Sequence, residues 1–202
     1  MNPWIDVVEY DDADGCLKSL YDKVKGPDNN VDNIMMIHSL RPHTMEAHMT
    51  IYKYVIHHSA NQVPKWFLET LGVYVSHLNN CHYCVEHHFA GLTRLLDNEE
   101  LSTAIRAALE TDQFDGVFSD KEAAALRYAR ALTKDITDMP EQLVKDMRGA
   151  GYDDGEILEI NQLVAYFAYA NRTVVGLGCS TEGDILGLSP NDSDDPDNWS
   201  HS

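Results

Sequence analysis

The sequence predicts an all-α domain of about seven or eight helices. Three observations carry this. Apolar residues recur at three- and four-residue intervals along most of the chain. In the second half, four segments are preceded by a Ser or Asp followed three residues later by Glu, the pattern of a capping box. No pair of alternating segments joined by a tight hairpin turn is found.

The elements follow in order. Residues 12–25 place Leu17, Leu20, Tyr21 and Val24 on one helical stripe, and Gly26-Pro27 stops them. A short helix is expected over 31–40 and a longer one over 42–58. Pro64 suits a first helical turn and opens a segment from Lys65 to about Leu78. Asn79-Asn80 is a break, after which a helix runs from near Cys81 to about Leu95. The capping patterns Asp97/Glu100, Ser119/Glu122, Asp138/Glu141 and Asp153/Glu156 introduce helices over about 98–111, 120–134, 139–148 and 154–175. Within the last, 157–170 is apolar around most of its circumference, which marks it as a core helix or part of a subunit interface. Residues 189–202 are polar, acidic and Pro-containing, and are expected to form a disordered tail after a single domain spanning 1–188. Trp199 reads as an ordinary tail residue.

Composition narrows the function. The 202 residues carry 15 Lys and Arg against 33 Asp and Glu, a formal charge of −18. That argues against nucleic acid and against anionic membrane as partners, since both need basic residues to neutralise phosphate. No apolar run approaches the ~18 residues of a membrane span. The first residues lack a basic stretch followed by an apolar one, so a cytoplasmic location is the expectation. The four cysteines are too sparse for a disulfide scaffold. Cys81 and Cys84, three apart, form the one close pair, and a pair in a reducing compartment points to redox chemistry or metal binding. Cys16 and Cys179 read as small hydrophobes.

On a helix beginning near Cys81, Cys81, Cys84 and His88 share one face at i, i+3 and i+7. The helix N-terminus favours an anion, so a thiol there is expected below the ~8.5 of free cysteine. The second thiol can attack the oxidised form of the first and close a disulfide. Zinc is the alternative: Cys81, Cys84, His88 and one further ligand, with His82 and His87 nearby. The remaining histidines (His38, His43, His48, His57, His58, His77) read as surface or satisfied structural residues, and Met35-Met36 as core.

Glu69, eleven residues, Cys81-x-x-Cys84, then x-x-x-His88 resembles the motif of the alkylhydroperoxidase D family, within the carboxymuconolactone decarboxylase-like superfamily. The wording from Val75 to His88, with Ala124, Leu126, Ala129, Leu132, Thr133 and Asn171-Arg172, is closest to its peroxidase-related branch. The resemblance covers about 30–185, with the motif core at about 63–95. It implies an all-helical fold assembling into trimers or hexamers, and a thiol-dependent peroxidase that needs no cofactor or metal. By it Cys84 is the nucleophile that reduces a hydroperoxide, Cys81 its disulfide partner, and Glu69 and His88 a proton relay. Electrons come from a dithiol such as a lipoyl group or a thioredoxin-like protein. A thiol–disulfide oxidoreductase acting on a protein disulfide is the nearest alternative activity, and a lactone decarboxylase a more remote one. Characterised peroxidases of the family carry His directly before the second Cys. Here that place holds Tyr83, whose hydroxyl titrates near ~10 and is a poor relay base at neutral pH.

Overall fold

The computed structural model describes residues 3–190, 195, 198 and 199. Among them the chain forms α1 (Gly15–Val24), α2 (Asn33–Met36), α3 (Pro42–Ile56), α4 (Lys65–Leu78), α5 (His82–Leu96), α6 (Glu99–Thr111), α7 (Asp120–Lys134), α8 (Glu141–Gly149) and α9 (Asp154–Gly176), with three short 3-10 turns and no strand. The predicted all-α class holds. The expected helix over 31–40 shrinks to the single turn of α2.

Two of the four predicted capping boxes form. Ser119 accepts from the Glu122 N–H and Asp153 from the Glu156 N–H, and each glutamate reaches back to the cap. The other two do not. Asp97 closes α5 in the left-handed region at φ 46°, and Asn98 caps α6 instead, accepting from the Leu101 N–H. Asp138 is spent in a 3-10 turn, and Pro140 precedes α8. In both cases the preceding chain reversal claimed the residue that the spacing assigned to a cap.

The centre of the domain is α4, which is apolar or small on nearly every side: Phe67, Leu68, Leu71, Val73, Tyr74, Val75 and Leu78 are all buried. Helices α5, α7 and α9 pack around it, with α3 and α6 completing the shell. Segment 157–170 is indeed a core helix, through Ile157, Ile160, Leu163, Val164, Phe167 and Ala170, while Leu158 and Tyr169 stay exposed. Where α4 meets α9, Gly72 leaves the space that the fully buried Phe167 ring occupies.

A second apolar cluster joins α1 to α3 through Leu20, Tyr21, Val24, Met45 and Met49. Most of the expected tail, 189–202, lies outside the described residues. Of those described, Trp199 is a correction: it is 4% exposed and packs into this second cluster. The buried Lys53 ammonium donates to the carbonyls of Asp195 and Asn198. The Trp199 indole is the apolar group by which this segment joins the second cluster.

Replacing a helical glycine by alanine ordinarily gains ~1 kcal/mol. At Gly72 the new methyl overlaps the Phe167 ring, and overpacking costs ~1–3 kcal/mol. Gly72→Ala is therefore expected to lower stability, and Gly72→Leu to lower it more, in urea denaturation. A stabilised Gly72→Ala protein would show that the α4–α9 contact is looser than described.

Candidate active site

The site is built by one chain reversal. At the end of α4 the Cys81 N–H reaches back to the Ser76 carbonyl (2.9 Å) and the Asn80 N–H to that of His77 (3.0 Å). Asn80 takes the left-handed conformation at φ 55°, which asparagine tolerates better than most residues. The Lys134 ammonium, from α7, donates to the last α4 carbonyl, Leu78, at 2.5 Å. The chain then re-enters a helix at His82, with Cys81 as its N-cap.

This hairpin lays α5 along α4, so residues about three turns before the reversal meet residues about two turns after it. Glu69 and His88 are thereby joined: His88 Nδ1 and Glu69 Oε2 are 2.6 Å apart. The carboxylate is 3% exposed. On its other oxygen, Oε1, stands His57 Nε2 at 3.9 Å. Tyr52 and Phe167 set their rings edge-on to His88.

Cys81 and Cys84 are free thiols with sulfurs 2.8 Å apart, near but not bonded. Both are buried. Hydrogen bonding from the Cys84 thiol, with help from the Asn171 amide, holds Cys81 below the ordinary thiol range. Burial and the charge beside it push Cys84 well above that range. The lowered thiol at the helix N-terminus expected from sequence is thus Cys81, and Cys84 is the one that holds its proton more firmly. Asn171, on α9, is fixed by donating to Ser76 Oγ (3.0 Å) and accepting from the Asn79 amide (3.0 Å). Cys16 is exposed, but Cys179 packs against the cluster of Cys81, Tyr83, Cys84 and Val174, so it is a neighbour of the pair rather than a remote hydrophobe.

A cavity with about 40 Å³ of room for water centres connects these groups. Cys84, Glu69 and His88 line it, together with Asp32, His48, Tyr52, His87 and Tyr166; Cys81 does not. One wall is the segment Gly187, Leu188 and Ser189. Gly187, at φ 80°, lies so close to Ala90 and Gly91 of α5 that a Cβ would sit 3.0 Å from Ala90. Arg94 Nη1 donates to the Gly187 carbonyl at 2.5 Å.

Asp184 anchors the same C-terminal segment. Its carboxylate accepts the Asn33 N–H (3.1 Å) and the Tyr83 hydroxyl (2.7 Å), and lies 3.1 Å from His87 Nε2. Tyr83 therefore binds the Asp184 carboxylate, and burial pushes its hydroxyl well above the ordinary tyrosine range. His82 is exposed and stands 3.7 Å from Glu86.

All four sequence-predicted site residues, Glu69, Cys81, Cys84 and His88, thus meet in one place. The zinc set of Cys81, Cys84 and His88 is not brought to metal-ligand spacing: among the described residues the one group that is comprises Asp32, His87 and Asp184. Sequence reasoning read His48 and His57 as surface or satisfied structural residues, whereas they are buried beside the site; it missed Asp32 and Asp184, and it noted Asn171 only within the resemblance, not as a neighbour of the thiols. These come from elements far apart in sequence and carry no local spacing signal.

Burial depresses His48 from its usual range to about 3. Its folded value lies below its unfolded ~6.5, so the stability tied to neutral His48 is present above ~6.5 and drains as pH falls toward 3. By about pH 4 the loss is on the order of 3 kcal/mol. His48→Gln should flatten that part of the acid limb in urea denaturation at several pH values; an unchanged difference from wild type between about pH 7 and about pH 4 would contradict it.

No protein-family model matches the chain, and no curated protein matches it by sequence. Solved structures do match. The alkylhydroperoxidase AhpD core of an uncharacterized peroxidase-related protein from Ralstonia eutropha JMP134 is 19% identical, with TM-score 0.76 over 92% of this chain and 96% of that one. An uncharacterized peroxidase-related protein from Silicibacter sp. TM1040 is 18% identical, with TM-score 0.74 over 92% and 95%. The debrominase Bmp8 is 18% identical, with TM-score 0.70 over 86% and 89%, and a cysteine-to-alanine variant of it has been solved with 2,3,4-tribromopyrrole. The helical arrangement described above is the alkylhydroperoxidase D-like fold.

Proposed function

We propose that the chain is a thiol-dependent peroxidase. The observation that carries this reading is the single cavity shared by Cys84 and the Glu69–His88 pair. Cys84 is the sulfur that faces the cavity, so it meets the peroxide. It holds a proton at rest, and His88, oriented by Glu69, is the base that removes it, directly or through a cavity water. The thiolate attacks the distal peroxide oxygen. The O–O bond breaks, ROH leaves with a proton, and Cys84 becomes a sulfenic acid. Cys81, adjacent and the more readily deprotonated of the two, attacks that sulfur, closes the Cys81–Cys84 disulfide and gives its own proton to the hydroxide that leaves as water. Two electrons from an external dithiol restore the pair.

Cavity size sets the substrate. Room for a few water-sized molecules suits hydrogen peroxide or a small, uncharged hydroperoxide. A longer one requires the 187–189 wall to move. The same burial favours a thin dithiol arm, such as a lipoyl group, over a globular thioredoxin-like donor, and it disfavours a protein disulfide as substrate.

A second reading is reductive dehalogenation of a small aromatic, supported by the likeness to a debrominase solved with a bromopyrrole. The thiol pair would supply the two electrons, with halide leaving and a proton taking its place.

Cys84→Ser is expected to reduce dithiol-dependent hydroperoxide consumption to the uncatalysed rate, and Glu69→Gln to lower it ~10²–10⁴-fold. Consumption unchanged in Cys84→Ser would refute the mechanism. Bromide release from a bromopyrrole, with no peroxide consumption by the wild type, would select the second reading.

We also propose self-association through the exposed face of α3 and α9. Ile51, Tyr54 and Tyr169 there line an open groove of about 640 Å³. Light scattering at micromolar concentration should report an oligomer, a trimer or hexamer by the family pattern. A monomer would contradict this.

A further inference from the structure

Beside the thiols, on the same cavity, stands a second group of ligating side chains that the peroxidase reading leaves unused. Asp32, at the start of α2, and His87, on α5, line the cavity, and Asp184 from the C-terminal segment closes against them. One donor atom from each of the three lies within 4.8 Å of the other two. Ligands ~2.0–2.2 Å from a common cation stand at most ~4.4 Å apart, so the group needs only a small contraction to surround one ion.

The environment favours a cation in three ways. First, Asp32 and Asp184 bring two carboxylates to one partly buried place, and Glu69 adds a third on the same cavity. None of the residues lining that cavity is Lys or Arg. The His87 imidazole, 3.1 Å from Asp184, is the basic group set against them, and a divalent ion would neutralise both aspartates. Second, the Asp32 carboxylate has no hydrogen-bond partner among the described residues. It precedes α2 without capping it and faces the cavity. Asp184, by contrast, is already gripped by the Asn33 N–H and the Tyr83 hydroxyl. Third, that grip is the outer support characteristic of metal sites, where ligands are held by further hydrogen bonds. Tyr83 also lies against the His87 imidazole, ring centroids 4.4 Å apart, fixing its orientation.

We propose that Asp32, His87 and Asp184 form a binding site for a divalent first-row transition cation, one ligand atom from each, with the remaining positions open to the water-sized space of the thiol cavity. One imidazole and two carboxylates suit Mn²⁺, Fe²⁺ or Zn²⁺ rather than a thiolate-seeking ion. The site involves neither cysteine, and it stands whether or not the thiols turn over peroxide.

The test uses the full chain, Mn²⁺ and Zn²⁺ as separate probes, and a Cys81→Ser/Cys84→Ser double variant. Calorimetry and metal analysis after dialysis should give one equivalent of each metal in both proteins. Electron paramagnetic resonance of the Mn²⁺ form should show coupling to an imidazole nitrogen. Asp32→Asn should weaken binding at least ~10-fold, and His87→Gln should abolish the nitrogen coupling. Circular dichroism identifies either variant that fails to fold, and the other then decides. Three results would overturn the proposal: no stoichiometric Mn²⁺ or Zn²⁺, affinity untouched in a folded Asp32→Asn or His87→Gln protein, or zinc lost with the cysteines. The last would place zinc on Cys81 and Cys84.

Discussion

Everything at the site hangs from the reversal between α4 and α5. Its two reaching hydrogen bonds, Cys81 N–H to Ser76 and Asn80 N–H to His77, leave no slack between the helices. A looser connection would let α5 slide along α4 by a turn, ~5.4 Å, and Glu69 would then lie beside the wrong residue. With this one, the carboxylate and imidazole meet at 2.6 Å while Cys81 sits at the helix N-terminus. The same few residues therefore set the Glu69–His88 contact and the placement of the thiol pair. The close packing of Gly72 on Phe167 and the Lys134 cap on Leu78 hold α4 where the reversal needs it.

The polar groups placed there are expensive to bury. Glu69 is nearly inaccessible, and His48 and His57 beside it are more so. A carboxylate buried against an imidazole seldom returns more stability than well-packed apolar residues would. Their concentration around one small cavity is therefore better explained by chemistry than by folding. The thiols follow the same logic. The low dielectric that raises Cys84 also strengthens its hydrogen bond to Cys81, which makes Cys81 the easier of the two to ionise. The more acidic sulfur is thus the one at the helix N-terminus, and the less acidic one is the sulfur that faces the cavity.

Legibility in the sequence followed range. The helices of the second half appear within a residue or two of their predicted bounds, because periodicity and caps are local. Ser119/Glu122 and Asp153/Glu156 succeed as capping boxes for that reason, while Asp97 and Asp138 fail because neighbouring turns compete for them. Glu69, Cys81, Cys84 and His88 were legible because one hairpin carries all four. The outer ring was not. Asp184 is joined to His87 and Tyr83 across long stretches of chain, Asp32 comes beside them from the start of α2, and His48 and Asn171 arrive on other helices. Nothing in the neighbourhood of Asp184 marks it in a sequence that carries 33 acidic residues. Trp199 was misjudged because composition averages over a segment, and one indole in a polar stretch is invisible to an average.

The substitution at Tyr83 takes its meaning from that outer ring. Sequence alone frames it as a lost relay histidine. In the fold its hydroxyl ties Asp184, and through it the C-terminal segment, to α5 and to the start of α2. That segment then runs on to Gly187, whose lack of a side chain lets it lie against the α5 backbone and wall the cavity. A histidine at position 83 could offer a proton but would not place a hydroxyl on Asp184. Tyr83 thus contributes a fixed wall over the thiols rather than a titratable group beside them.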